Sequence, residues 1–232
     1  MSAYRYSGTK IVAIGKNYAA HAVEMGGSAA RRASPLFFLK PSSSVVQAGG
    51  AGGPRRATVV LPRGIGEVHH EVELGVVIGA RARHVRAADA LAHVRGYCLA
   101  LDMTARDLQA AAKAAGAPWT HGKCYDTFTP LASAPLLDAG RADPRALSLW
   151  LRVDGAERQR GRTADMLHSV PELLAYVSTV MTLEPGDVLL TGTPSGVGPV
   201  RAGQVIRAGL DDAHGATLVE EEFDVVDEAP AQ

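Results

Sequence analysis

The sequence is poor in cysteine, carries no net charge and contains no long apolar run, and each absence excludes a class of protein. Only two cysteines, Cys98 and Cys124, occur in 232 residues, too few for the disulfide framework of a secreted scaffold. Lysine plus arginine equals aspartate plus glutamate at 24 each, so nothing indicates nucleic acid or an acidic membrane as a partner. No stretch approaches the roughly 18 apolar residues of a membrane-spanning helix, and the first residues lack a signal peptide's apolar run. We therefore expect a soluble cytoplasmic protein.

Three familiar functional motifs are also missing. Residues 191–198 are rich in glycine and threonine, but no helical pattern follows and no Gly-Lys-Ser/Thr is present, which excludes a nucleotide-binding phosphate loop. The His69-x-Glu71 pattern of zinc deaminases lacks its Pro-Cys-x-x-Cys partner, and there is no Gly-x-Ser-x-Gly elbow. The backbone amides of residues 191–198, together with Thr193, remain candidates for a turn that holds an anion.

What the sequence does contain is a series of short strand-like segments with few helices among them. Strands are predicted at residues 9–14, 36–39, 58–61, 72–78, 96–102, 148–153 and 187–191, and helices at 17–25, 105–115 and 170–181. Strands outnumber helices without alternating regularly with them, which favours a β-rich α+β fold over a doubly wound sheet. No repeat or strong linker divides the chain. We expect one catalytic domain over residues 1–232, with an N-terminal segment up to about residue 60 and a core from about 61.

Two acidic residues stand at the start of the most regular strand pattern. Apolar residues occupy every second position after them, namely Val72, Leu74, Val76 and Ile78, as in a strand. Glu71 and Glu73 are two apart, so their side chains share a face and lie roughly 6.6–6.8 Å apart along the strand. Two such carboxylates repel each other unless a cation lies between them, and hard oxygen ligands suit Mg²⁺, Mn²⁺ or Ca²⁺. An edge strand with a solvated acidic face is the open alternative.

A third carboxylate ends another apolar strand. Asp102 stands where that strand turns into a helix, a place where a lone aspartate usually caps the turn. Together with Glu71 and Glu73 it would make three carboxylates, which leaves about half of an octahedral metal shell for water and substrate. Thr104 is predicted as the N-cap of the helix, with Asp107 as its capping-box partner.

Cationic and amide side chains follow on this helix and just after it. Arg106, Gln109 and Lys113 recur at i, i+3 and i+7 and share a face. The first two lie within reach of a ligand on the metal, whereas Lys113 is assigned to a solvated polar stripe. Lys123 either pairs with Asp126 or, beside a metal site, holds a carboxylate or a developing enolate.

The first helix carries a histidine and a glutamate on one face. His21 and Glu24 are three residues apart, and a carboxylate that orients an imidazole and raises its pKa produces a general base. The helix leads into the glycine-bearing loop 26–34, so the pair could move with a lid. A surface ion pair is the ordinary alternative for this spacing.

Five segments together resemble the fumarylacetoacetate hydrolase family, in particular its small single-domain branch of acylpyruvate hydrolases and oxaloacetate decarboxylases. They are residues 15–24, 38–41, 69–75, 101–109 and 186–194, which occur in the family's order within residues 10–199. The glycine-rich stretch 48–53 departs from the family pattern, and the lid 26–34 varies freely among relatives.

The resemblance implies a fold, a cofactor and roles for particular residues. The fold would be a mixed β-sandwich roll that assembles as a homodimer, with Mg²⁺ or Mn²⁺ bound by Glu71, Glu73 and Asp102. His21 and Glu24 match the lid pair that activates water, and Lys123 matches the active-site lysine. The positions that match substrate contacts are Lys40, Arg106, Gln109 and Thr193.

Among the family's reactions, we expect hydrolysis of the carbon–carbon bond of an acylpyruvate, such as acetylpyruvate or fumarylpyruvate, to pyruvate and a carboxylic acid. The 2-oxo acid end would chelate the metal, and His21 would deprotonate the attacking water. The alternatives are decarboxylation of oxaloacetate and isomerisation of 2-hydroxyhepta-2,4-diene-1,7-dioate at the same site. A non-catalytic binding module is a third possibility, against which the presence of both His21 and Glu24 counts.

Overall fold

A computed structural model describes residues 2–31, 33–48 and 56–230 of the chain. Most of the glycine-rich stretch 48–53, and Arg32 of the predicted lid, lie outside the described residues. The strands are β1 (Ile11–Gly15), β2 (Leu36–Lys40), β3 (Val45–Val46), β4 (Ala57–Leu61), β5 (Val68–His70), β6 (Val72–Ile78), β7 (Val94–Leu101), β8 (Thr104–Ala105), β9 (Thr129–Pro130), β10 (Leu137–Asp138), β11 (Ser148–Val153), β12 (Ala156–Arg162), β13 (Val188–Leu190), β14 (Gly198–Val200), β15 (Val205–Asp211) and β16 (Thr217–Asp227).

The helices are short and lie between these strands. They are α1 (Ala19–Glu24), α2 (Arg106–Ala115), α3 (Thr120–Lys123) and α4 (Val170–Val180), with 3₁₀ turns at Ser42–Ser44, Ala87–His93 and Thr163–Asp165. The α+β, strand-rich class predicted from the sequence is confirmed. Within the described residues, no helix is long and apolar enough to span a membrane.

A six-stranded sheet carries the acidic strand at its centre. Its order is β10-β7-β6-β13-β1-β2, and β6 pairs antiparallel with β7 on one side and with β13 on the other. Every residue of β6 is buried. The alternative of an edge strand with a solvated acidic face is therefore wrong, because both edges of β6 are paired and both faces are covered.

A second sheet covers one face of the first. It has five strands in the order β12-β11-β15-β16-β4. One cluster of buried apolar side chains joins the two sheets, and it includes Leu74 and Leu99 from the first and Leu151, Ile206 and Phe223 from the second. Their burial removes the apolar face of each sheet from water, which is the main favourable term in the free energy of folding.

A small sheet of three short strands brings distant segments to one place. In the order β14-β5-β8, His69 pairs with Thr104 and His70 pairs with Gly198. β5 leads into Glu71, and β8 follows Asp102 by two residues. This pairing therefore brings the ends of β5 and β7 close to the 191–197 segment.

The start of α2 differs from the prediction. Ala105, not Thr104, precedes the helix, and no side chain caps it. Thr104 is instead part of β8, and its hydroxyl donates to the carbonyl oxygen of Asp102 at 2.9 Å. Because β8 pairing takes up this residue, the predicted capping box with Asp107 is wrong. The helix ends where predicted, at Gly116 in the left-handed conformation (φ 64°).

Candidate active site

Three carboxylates lie together in the interior. Oxygen atoms of Glu71, Glu73 and Asp102 come within 4.8 Å of one another, and all three side chains are buried. Glu71 occupies the single position between β5 and β6, Glu73 lies in β6, and Asp102 directly follows β7. The Asp102 amide donates to the Glu71 carbonyl oxygen at 2.8 Å, which continues the β6–β7 pairing and holds the two residues side by side.

Cationic side chains surround two of these carboxylates. The ammonium group of Lys123 donates to Glu71 at 2.8 Å and to Asp102 at 2.6 Å. The guanidinium of Arg106 donates to Glu71 at 2.6 Å. Although burial acts in the opposite direction, Lys123 and Arg106 hold the pKa of Glu71 well below its usual range. Lys123 therefore pairs with the carboxylate cluster, and the alternative pairing with Asp126 is wrong.

Lys40 also pairs with the carboxylate cluster, from the side away from the cavity. Its side chain is buried at the end of β2 and forms an ion pair with Asp102, while the Phe128 carbonyl oxygen accepts a second hydrogen bond at 2.7 Å. Lys40 is not among the residues that line the cavity. In the structure it orients Asp102, and its contact with substrate stays a prediction.

Glu73 is the carboxylate without a cation of its own. It accepts a hydrogen bond from the Gly192 amide at 2.7 Å, and in the described part of the chain no lysine, arginine or histidine forms an ion pair with it. Burial, followed by the charges of Asp102 and Glu71, raises its pKa well above the usual value. A divalent cation between the three carboxylates would remove this repulsion. The all-oxygen donor set therefore fits a hard divalent metal ion.

The predicted general-base pair is also assembled. His21 Nδ1 lies 3.1 Å from a carboxylate oxygen of Glu24, and the buried imidazole lines the same cavity as the three carboxylates. The other Glu24 oxygen accepts a hydrogen bond from the Gly196 amide at 2.9 Å. The exposed Glu24 thus connects helix α1 to the 191–197 segment, and it is hydrogen-bonded to the Gly196 amide on one side and to His21 on the other.

One buried side chain that supports the site gives no signal in the sequence. Gln159 is 1% exposed, whereas most of its neighbours in β12 are exposed. Its amide nitrogen donates to the Thr193 hydroxyl at 2.8 Å, and its carbonyl oxygen accepts from the Val72 amide at 3.1 Å and faces His70 Nδ1 at 2.9 Å. Thr193 in turn donates to the Val72 carbonyl oxygen at 2.9 Å. The polar sequence of β12 contains no pattern that distinguishes Gln159 from its neighbours.

The cavity in front of the carboxylates is small, about 20 Å³. The predicted site residues that line it are His21, Glu71, Glu73, Asp102, Arg106, Gln109, Lys123 and Thr193. Lys16, Phe38, Lys113 and Trp119 line it as well and were not predicted as site residues. The assignment of Lys113 to a solvated stripe is wrong, because its side chain is half-buried and its Nζ lies 5.2 Å from the Trp119 ring centroid.

Comparison with known proteins agrees with this geometry. The profile described as fumarylacetoacetate (FAA) hydrolase C-terminal matches residues 10–221. The chain belongs to the fumarylacetoacetate hydrolase family. It is 52% identical to a mitochondrial oxaloacetate tautomerase of Oryza sativa subsp. japonica, over 94% of this chain and 91% of that protein. It is 48% identical to a mitochondrial oxaloacetate decarboxylase of Dictyostelium discoideum, over 90% of this chain and 92% of that protein.

A solved structure of the family supports both the fold and the cofactor class. The crystal structure of fumarylpyruvate hydrolase from Pseudomonas aeruginosa, in complex with Mn²⁺ and pyruvate, superposes with a TM-score of 0.84 at 36% identity. The match covers 96% of this chain and 91% of that chain. The family fold predicted by resemblance is confirmed. A buried acidic cluster that can hold a divalent metal is present in this chain, as the sequence predicts.

Proposed function

We propose that this protein interconverts the keto and enol forms of oxaloacetate with the help of a divalent cation. The observation that carries the proposal is a proton-transfer pair and a three-carboxylate cluster that share one small cavity. Tautomerisation needs only chelation of the substrate and a base, and the residues that line this cavity offer both. The oxaloacetate enzymes at 52% and 48% identity support the same choice.

The three carboxylates would hold the metal, and the neighbouring cations would hold the substrate. We assign Mg²⁺ or Mn²⁺ to Glu71, Glu73 and Asp102; when bound, the ion supplies a Lewis acid that polarises the 2-oxo group and acidifies the hydrogens on C3. Arg106 and Gln109 are hydrogen-bonded to each other at 2.7 Å along the cavity wall, where they can bind the substrate's first carboxylate. Lys123 places a buried ammonium where negative charge develops on the enolate oxygen.

His21 moves the proton. Its Nδ1 faces Glu24, which favours the tautomer with hydrogen on Nδ1 and leaves the Nε2 lone pair for catalysis. Nε2 takes a proton from C3, so the C3–H bond breaks and an enolate forms. The imidazolium then gives this proton to the enolate oxygen, which produces the enol and the neutral imidazole with no net change in atoms or electrons. The reverse sequence converts enol to keto.

The hydrolysis of an acylpyruvate favoured by the sequence is the second candidate. The specific observation for it is the structural match to a fumarylpyruvate hydrolase. In hydrolysis by this chain, His21 and Glu24 would deprotonate a water molecule instead of a substrate carbon. Decarboxylation of oxaloacetate leads to the enolate of pyruvate and needs no general base. The oxaloacetate enzymes at 52% and 48% identity favour the oxaloacetate alternative over hydrolysis.

A substrate panel separates these reactions. Purified protein with Mg²⁺, or with EDTA, is given oxaloacetate, acetylpyruvate and fumarylpyruvate; enol absorbance and pyruvate release are followed in parallel. The proposal predicts EDTA-sensitive loss of the oxaloacetate enol signal that is faster than pyruvate release from any substrate. Fast pyruvate release from a dioxo acid would favour the hydrolase, and fast release from oxaloacetate would favour the decarboxylase.

Assembly and location stay proposals. We keep the homodimer and the cytoplasm that the sequence predicts, with a small 2-oxo acid, and neither nucleic acid nor membrane, as the partner. The plant and Dictyostelium relatives are named mitochondrial. Light scattering of the purified chain and fractionation of the source cells test these two expectations.

A further inference from the structure

Two cations of the cavity have no acidic partner. Lys123 and Arg106 are both paired with Glu71, whereas Lys16 and Lys113 line the same cavity and form no ion pair among the described residues. The pKa of Lys113 is lowered to about 8 by burial and by the positive charges of Arg106 and Lys16. Positive charge in this part of the cavity is therefore uncompensated, and a bound anion would compensate it.

A pair of aromatic rings links Lys113 to Lys123, the lysine that is bound to the carboxylate cluster. Lys123 Nζ lies 5.1 Å from the Phe38 ring centroid, the Phe38 and Trp119 centroids are 5.4 Å apart, and Lys113 Nζ lies 5.2 Å from Trp119. The cavity consequently has a cation beside each end of one pair of rings. The inner cation, Lys123, is buried and paired with the carboxylates, whereas the outer cation, Lys113, is half-buried.

The residue before Lys16 passes close to the same ring. A Cβ on Gly15 would lie 2.9 Å from the Trp119 ring, so only glycine lets β1 pass this close to the indole. Lys16 follows in the left-handed region at φ 59°, a conformation that non-glycine residues rarely adopt. Its ammonium would lie 3.5 Å from a Cβ placed on Gly27, just beyond helix α1.

We propose that Lys113, beside Trp119, and Lys16, which lines the same cavity, form an outer anion subsite that binds the second carboxylate of a dicarboxylic 2-oxo acid. This inference rests on the proposed function, because the first carboxylate and the 2-oxo group must bind at the inner end. A ligand whose far end is neutral would leave both ammonium groups uncompensated. The subsite therefore makes the enzyme selective for dicarboxylates such as oxaloacetate over monocarboxylates such as acetylpyruvate.

Binding measurements on the Mn²⁺-loaded protein test the subsite independently of turnover. The probes are 3,3-difluorooxaloacetate, which has a distal carboxylate and cannot enolise, and oxalate, which supplies only the chelating end. Calorimetry compares the wild type with K113M, with K113R, which keeps the charge, and with R141Q, which removes an exposed arginine that does not line the cavity.

We expect K113M to weaken the binding of difluorooxaloacetate about tenfold or more, which corresponds to the loss of one charge-assisted hydrogen bond. Oxalate should bind K113M as it binds the wild type, and K113R and R141Q should leave both Kd values near wild type.

Each result bears on the subsite. Equal weakening of oxalate and difluorooxaloacetate in K113M, or no weakening of either, would overturn it, as would a wild type that binds neither probe. If K113M weakens only difluorooxaloacetate and the wild type has no tautomerase activity, the subsite stands and the proposed function is rejected. If the wild type is a tautomerase but K113M binds both probes as the wild type does, the proposed function stands and the subsite is rejected. K113M, assayed with oxaloacetate and acetylpyruvate, should show a higher KM for oxaloacetate alone.

Discussion

Single residues at the site differ mainly in whether their charge is matched. Glu71 and Asp102 have lysine or arginine partners, whereas among the described residues Glu73 has only the Gly192 amide as a partner, and its pKa is raised. The spacing of Glu71 and Glu73 could be recognised in the sequence because a strand places residues two apart on one face. The partners of Lys123 could not be recognised in this way. Its nearest acidic neighbour along the chain is Asp126, whereas its partners in space, Glu71 and Asp102, follow β5 and β7.

Substitution of His21 tests proton transfer at the residue scale. H21A should lower the rate of oxaloacetate tautomerisation by about 10²–10⁴-fold, the usual contribution of a general base, while Mn²⁺ affinity stays unchanged, because His21 contacts none of the three carboxylates. E24Q should cause a smaller loss, since Glu24 orients the imidazole without touching substrate. Stopped-flow enol absorbance and Mn²⁺ titration measure the two effects. Equal loss of activity and of metal binding would reject the role of the pair.

The pKa of Lys113 gives a pH dependence with a defined sign. At pH values below about 8 its ammonium is charged and attracts a distal carboxylate, and above that value the charge is lost. The charged groups that act on it are Arg106, Lys16 and Lys123, which lower its pKa, and Glu71, which raises it. The KM for oxaloacetate should therefore rise between pH 8 and 9.5 in the wild type. In K113R the rise should be absent, and an identical rise in both proteins would contradict the assignment.

At the scale of single elements, length decided what could be predicted. The seven residues of β6 and the eleven of α4 show their periods clearly, and both were predicted. The four-residue helix α3 and the two- or three-residue strands β5, β8 and β14 are too short for any period. These short elements nevertheless position Lys123, Glu71 and Thr193. The site residues could therefore be predicted from the sequence, but the short strands and helix that bring them together could not.

Gly75 in β6 offers a test of how this strand is packed. A Cβ at this position would lie 2.6 Å from the Cys98 sulfur on the paired strand β7. G75A should therefore lower the free energy of unfolding by about 1–3 kcal/mol through overpacking. C98A alone should cost less, and G75A combined with C98A should be more stable than the sum of the single effects predicts, because removal of the sulfur makes room for the methyl group. Urea unfolding measures all three, and simple additivity would show that Cys98 is not the obstacle.

For the whole molecule, the resemblance predicted the fold more completely than periodicity did. The sheet order could not be derived from local patterns, because β13 (Val188–Leu190) inserts between β6 and β1 from more than a hundred residues away in the chain. Three carboxylates in the interior are likewise a property of the assembled fold, which brings their charges together from β5, β6 and β7. The single catalytic domain and the homodimer stay predictions.

Metal binding should stabilise the whole fold if the cluster is a cation site. At a Mn²⁺ concentration 100 times the Kd, linkage predicts about 2.7 kcal/mol of added stability, which corresponds to a rise in Tm of roughly 5–10 °C for a chain of this size. In E73Q the rise should be much smaller, although the apoprotein should not be less stable, because the substitution removes a repelled charge. Calorimetric melting with Mn²⁺ and with EDTA checks both. An equal rise in wild type and E73Q would place the ion elsewhere.

The most direct measurement of the proposed activity is the rate at which the enol of oxaloacetate converts to the keto form, followed by ultraviolet absorbance with catalytic amounts of the protein. The predicted result is a rate proportional to protein concentration, abolished by EDTA and restored by Mg²⁺ or Mn²⁺, with little pyruvate formed in the same interval. An enol decay equal to the protein-free control, in protein that binds Mn²⁺ and oxalate, would contradict the assignment of this site to oxaloacetate tautomerisation.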